Sequence, residues 1–167
     1  QATIEFLNGD LRDLFVVDVY LAGAGTSHHM NVNEVLANRA LEILGDEKGN
    51  YSRVSPNDHV NYGQSTNDVI PTAIRVGGIL ALEHAQYPAM ESALVTFSIK
   101  STEFEDVVRS GRTHMQDAVP VRLGEGFRAC ELILTGHQAR IIAAAAELSV
   151  LVIGGSATGT GLISHPK

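Results

Sequence analysis

Cysteine is almost absent from this chain: Cys130 is the only one in 167 residues, so no internal disulfide can staple the fold. A secreted domain of this size more often carries cysteine pairs, which makes the cytoplasm the expected compartment and a cytoplasmic, soluble protein the default. Basic residues are also few. Twelve Lys plus Arg face 19 Asp plus Glu, a formal net charge of −7, and there is no basic patch of the kind that neutralises nucleic-acid phosphates. Long apolar runs are missing as well. The longest, Ile141 to Gly155, is broken by Glu147 and falls short of the roughly 20 residues a membrane span needs. No basic-then-apolar signal segment opens the chain. What remains is 44% hydrophobic, enough for one domain with a real core. Beginning at Gln1 and ending at His165-Pro166-Lys167 just after a glycine-rich turn, the chain reads as a cut piece.

Strand-like alternation is scarce, with Leu14 to Tyr20 its one candidate, and the patterning predicts an all-α fold. Residues Asn31 to Gly45 read as a helix started by Asn31 or Asn33 and stopped by Gly45. Asp46 to Gln64 has loop composition. A second helix is expected from Ser65-Thr66-Asn67-Asp68, with Pro71 in its first turn, to about Gln86, where Pro88 marks a kink or an end. Met90 to Arg109 continues as helix, and Gly111 to Pro120 reads as a polar loop. From Val121 onward, Leu123, Phe127, Cys130, Leu134, Ile141, Ala144, Leu148 and Leu151 advance by threes and fours, which predicts a long helix packed at a shallow angle against others. On this seam Cys130 reads as a small buried apolar residue and His137 as a core-facing or interface histidine. The organisation expected is a loop-rich N-terminal part over residues 1–64 and the beginning of a long-helix bundle over residues 65–167.

Three polar clusters interrupt the apolar pattern: Gly23-Ala24-Gly25-Thr26-Ser27, Gln64-Ser65-Thr66-Asn67-Asp68, and Gly111-Arg112-Thr113-His114-Met115-Gln116-Asp117. A helix start carries free backbone N–H groups and the positive end of the macrodipole, so Ser65, Thr66 and Asn67 there offer a carboxylate or phosphate site. The alternative is simple capping. His114 sits beside Thr113, where an imidazole can bind an anion or relay a proton; it can equally be an ordinary surface residue. Two glycine motifs carry little weight for nucleotides. Gly23-Ala24-Gly25-Thr26-Ser27 lacks the lysine of a phosphate-binding loop, and the Gly154 to Gly161 run follows a helix, with no second helix after it. His28, His29, His59, His84 and His165 show no metal-ligand spacing, so no metal is expected.

Taken together, the stretches GAGTSHHMNVNEVLANRALEILG, SPNDHVNYGQSTNDVIPTAIR, GRTHMQDAVPVRLGEGF and GGSATGTGL resemble the fumarase/aspartase superfamily of lyases, in that family's order, from about Asp18 to Pro166. Lys48-Gly49-Asn50-Tyr51, Ser65-Thr66-Asn67-Asp68 and Ser55 before Pro56-Asn57-Asp58 look closer to aspartate ammonia-lyases than to class II fumarases. The resemblance implies anti-elimination of ammonia from L-aspartate to give fumarate, with no cofactor. It also implies a homotetramer built on a bundle of long helices. By motif, Thr26, Ser65 and Thr66 would hold the carboxylate next to the abstracted proton. Asn67, Thr113 and His114 would hold the α-carboxylate and amino group, with Thr113 and His114 as the catalytic pair. A class II fumarate hydratase acting on malate and fumarate is the alternative within the family, and a non-catalytic helical assembly module is the alternative outside enzymes. The departures are His28-His29, where the family usually has a small residue and Asn, and Glu125-Gly126, where Gln-Glu is usual. The family's mobile loop, with its Ser-Ser-x-Met-Pro-x-Lys-x-Asn pattern and catalytic serine base, has no counterpart in these residues, so the fragment alone is expected to be inactive.

Overall fold

Helical periodicity is realised in α1 (Ala2–Asn8), α2 (Thr26–Ile43), α3 (Thr66–Ala81), α4 (Tyr87–Glu103) and α5 (Leu123–Leu148) of a computed structural model that describes residues 1–165. Pro166, where the family-like stretch ends, and Lys167 lie outside the described residues. The chain divides into two units, residues 1–74 with the segment from Leu151 on, and residues 75–150, the division falling inside α3. No helix among the described residues is long and apolar enough to cross a membrane.

In the first unit, α2 begins at Thr26, five residues before the expected Asn31. Its N-cap is Gly25 at φ 81°, a left-handed conformation that glycine adopts without steric cost. A side chain there would also collide with Ile70 of α3, since an added Cβ would lie 2.8 Å from its nearest atom. Asn31, freed from capping, clamps the preceding segment: its side chain accepts from the Val16 N–H and donates to the Leu14 carbonyl, both at 3.2 Å. Leu14 to Tyr20 is therefore an irregular tether rather than the candidate strand. Val35, Ala37 and Leu41 of α2 form the buried apolar centre. Arg39 ties α1 to α2 through Glu5, whose carboxyl is held below the usual carboxylate range by that hydrogen bond. The expected loop from Asp46 contains one wide helical turn, Pro56–Val60, which Ser55 caps by accepting from the Asp58 N–H at 3.0 Å.

Pro71 is the sixth residue of α3, deeper than the first turn anticipated for it. The expected break near Pro88 is a wide π-turn, Leu82–Gln86, after which Pro88 sits at the start of α4. That position needs no N–H partner, and the preceding π-turn absorbs the irregularity.

In the second unit α4 and α5 pack side by side. Gly124 of α5 lies against the end of α4, where an added Cβ would come within 2.3 Å of the Ser101 carbonyl oxygen. Phe104 and Phe127 stack with ring centroids 5.6 Å apart, and Arg122 reaches Glu105 at 3.2 Å. At the other end, Arg75 donates to the carbonyls of Glu147 and Val150, at 3.0 and 2.6 Å, closing the C-terminus of α5. The covered face of α5 follows Gly124, Phe127, Glu131, Leu134, Gln138, Ile141, Ala145 and Leu148, a strict alternation of threes and fours. Half the expected seam is on it. Cys130 and His137 are not: both are exposed, and His137 Nδ1 lies 3.1 Å from the Arg140 guanidinium.

The segment expected as a polar loop is instead an antiparallel hairpin of β1 (Val108–Thr113) and β2 (Gln116–Arg122), and the helix expected to reach Arg109 ends at Glu103. Its two-residue turn is His114-Met115, with φ 49° and 61°. That turn type matches strand twist but normally announces itself with Asn-Gly. Without those residues the sequence carries no hairpin signal.

Candidate active site

The start of α3 is a reciprocal cap. Ser65 Oγ accepts from the Asn67 N–H at 3.2 Å, and Asp68 Oδ1 accepts from the Ser65 N–H at 3.0 Å. This is the capping-box arrangement with aspartate in the third position. Asn67 also donates from its side chain to Ser65 Oγ at 3.2 Å. Capping thus occupies Ser65 and Asp68, while Thr66, half-buried, and Asn67, exposed, remain at the positive end of the helix.

Asp68 is 2% exposed, and its second oxygen accepts from the N–H groups of Gly154 and Ser156 at 3.2 and 2.8 Å. The glycine-rich segment, with Gly154 at φ 91° and Ser156 at φ 54°, therefore turns its backbone donors onto a carboxyl of the protein itself. This is the close backbone approach that its glycines allow, and it fixes the segment against the start of α3.

The N-terminal turns of α2 and α3 meet at a second contact. His29, 4% exposed, places Nδ1 2.9 Å from Thr66 Oγ1. Burial pushes the His29 imidazole below its ordinary value, opposed by the neighbouring Asp68 charge. Its Nε2 is buried and has no hydrogen-bond partner among the described residues. Thr26 is the first residue of α2, three residues before His29, and is exposed. The structure thus brings Thr26, Ser65, Thr66 and Asn67 to two helix starts in contact. Thr113 and His114 belong to the other unit, where they are exposed at the hairpin tip. A cavity of about 360 Å³ in the first unit is lined by Leu14, Val16, Asn31, Glu34, Val35 and Arg39 among others, none of them a cluster residue.

Two participants were not legible as such in the sequence. Asp68 had a signal, the third position after a capping serine, but not its hold on the distant glycine segment. His29 stands out in the sequence as a histidine without metal-ligand spacing and as a departure from the family pattern, and neither signal pairs it with Thr66; among the described residues no group of three or more His, Cys, Asp or Glu side chains is placed to hold a metal ion.

A family model described as "Lyase" matches residues 1–167. The chain is 49% identical over 166 residues to the class II fumarate hydratase of Halobacterium salinarum, covering 99% of this chain and 35% of that protein. It is 47% identical over 167 residues to the aspartate ammonia-lyase of Bacillus subtilis, covering 100% of this chain and 35% of that one. Among solved structures, the fumarate lyase:delta crystallin of Brucella melitensis superposes with a TM-score of 0.87 at 44% identity, over 98% of this chain and 35% of the other. The chain therefore spans about a third of the length of the curated relatives it matches.

Proposed function

Since the chain belongs to the lyase family, within the fumarase/aspartase superfamily, we propose that the whole protein is a carbon–nitrogen lyase that eliminates ammonia from L-aspartate to give fumarate. The observation that carries this reading is the contact of two helix starts through His29 of α2 and Thr66 of α3, where Thr66 is held but not consumed by capping. The hard step is removal of a weakly acidic proton beside a carboxylate. It leaves a dianionic aci-carboxylate, which preorganised donors and helix dipoles stabilise more than they stabilise the substrate. Thr26, Ser65 and Thr66 take that carboxylate. Asn67, Thr113 and His114 take the α-carboxylate and amino group, and the proton is removed by a base outside these residues. No cofactor enters the scheme. The active assembly is a homotetramer, a reading supported by the apolar side chains that α5 leaves uncovered, Leu132, Ile133 and Ile142.

Ser55 and the Ser65-Thr66 pair favour aspartate. A class II fumarate hydratase is the second reading, favoured by relatives of that name at similar identity. Fumarate formation from L-aspartate and from L-malate, followed by ultraviolet absorbance on the uninterrupted gene product, separates them. Product from aspartate alone is expected; product from malate alone makes the protein a hydratase, and silence with both favours a helical assembly module without catalysis. In the active protein Thr66→Ala is expected to lower turnover about tenfold or more; an unchanged rate would reduce the helix start to a cap.

A further inference from the structure

One buried polar group beside the site has no part in the scheme above. That group is the side chain of His29. It is 4% exposed, its Nδ1 lies 2.9 Å from Thr66 Oγ1, and its buried Nε2 has no hydrogen-bond partner among the described residues. A neutral imidazole has one N–H and one lone pair, so the contact can be built in two ways. If Thr66 donates to Nδ1, the ring proton sits on Nε2 as a buried donor with nothing to receive it. If Nδ1–H donates to Thr66, the group left over is a bare lone pair. Orphaned buried N–H groups are rarer in folded proteins than under-used acceptors, so the second arrangement is the one the fold tolerates. An imidazolium would again orphan the Nε2 proton, and burial opposes its charge.

The difference matters for an anion. A threonine hydroxyl has one hydrogen to give. In the first arrangement that hydrogen goes to His29, and Thr66 meets a carboxylate only with lone pairs, which repel it. In the second, Thr66 accepts from the ring and keeps its hydrogen. We propose that His29 is a positioning residue: its proton on Nδ1 is donated to Thr66 Oγ1, leaving the Thr66 hydroxyl hydrogen for the substrate carboxylate. The inference rests on the lyase reading for what Thr66 binds, but not for the direction of the hydrogen bond.

Two measurements on the uninterrupted gene product test it. The first is ¹⁵N NMR of the histidine rings, with the His29 signals identified by their loss in His29→Asn. A neutral ring protonated on Nδ1 is expected, and protonation on Nε2 overturns the proposal. The second is a kinetic cycle. His29→Leu, which cannot donate, should lower kcat/KM about tenfold or more, and His29→Gln, whose amide can, should recover most of it. In a Thr66→Ala background His29→Leu should cost nothing further. Losses that simply add would show that His29 does not act through Thr66, and would overturn the proposal. Absence of fumarate from both substrates in the unsubstituted protein would defeat the lyase reading instead, and the ring tautomer would then decide the direction of the bond by itself.

Discussion

Asp68 gathers three backbone N–H groups onto one buried carboxyl, one from its own cap and two from residues 86 and 88 positions further along the chain. Charge-assisted bonds of this kind are roughly twice as strong as neutral ones, and a buried donor left without its acceptor costs about 1–3 kcal/mol. The start of α3 is thereby held rigidly enough to present Thr66 in one orientation. His29, pressed against that threonine, is kept neutral by burial. Its folded pKa lies below the unfolded value, so the unfolded chain takes up the proton first as pH falls. Stability contributed by the neutral ring is present above the unfolded pKa, near 6.5, and is lost as pH falls from there through the folded pKa. Thermal unfolding measured between about pH 7.5 and about pH 5 should accordingly show a drop in Tm that His29→Asn reduces. An equal drop in the variant would show that other groups govern the acid side.

At the scale of elements, the α4–α5 pair depends on a close approach at one glycine and on nothing at the next. Position 124 leaves no room for a Cβ, whereas the space around Gly126 is open. Gly124→Ala should therefore lower Tm sharply, because the Ser101 carbonyl it meets is backbone and cannot swing aside. Gly126→Ala should raise stability by about 0.5–1 kcal/mol through helix propensity alone; denaturant melts of both variants check the contrast, and equal effects would refute it. The hairpin between these helices is held by ladder pairing and an Arg112–Asp117 ion pair at 3.2 Å. Exposed pairs of that sort contribute little. Its tip instead forces both His114 and Met115 to positive φ, a conformation that side chains with a Cβ adopt only at a cost of about 1–2 kcal/mol each.

For the whole protein, association turns on apolar surface that the helices leave uncovered: on α5 Leu132, Ile133 and Ile142 are 62%, 60% and 53% exposed. Burying such side chains is worth about 1.5–3 kcal/mol each, so this face is expected to be covered in the complete assembly. Light scattering of the uninterrupted gene product should give a tetramer, and Leu132→Glu with Ile133→Glu should shift it to smaller species with loss of activity. A double variant that stays tetrameric would place the interface elsewhere.

Helices α2 to α5 were readable in outline from the amino-acid sequence because their determinants are local, whereas α1, which has no side-chain cap, was not. Caps at Ser65, apolar spacing through Phe127, Leu134, Ile141 and Leu148, and the four family-like motifs all lie within a few residues of what they specify. Ser65, Thr66 and Asn67 likewise lie at a helix start that their own capping residues announce, whereas Thr26 opens a helix only because α2 begins five residues before the expected Asn31. What depends on distant contacts was not readable. The seam of α5 turned Cys130 and His137 outward because a sequence period does not say which of two adjoining faces a neighbour will cover. The hairpin formed where pairing of β1 with β2 outweighed an unfavourable turn. Asp68 closed on Gly154 and Ser156, and His29 on Thr66, across 86, 88 and 37 positions, because only tertiary packing brings such groups within hydrogen-bond range and withdraws the water that would otherwise satisfy them.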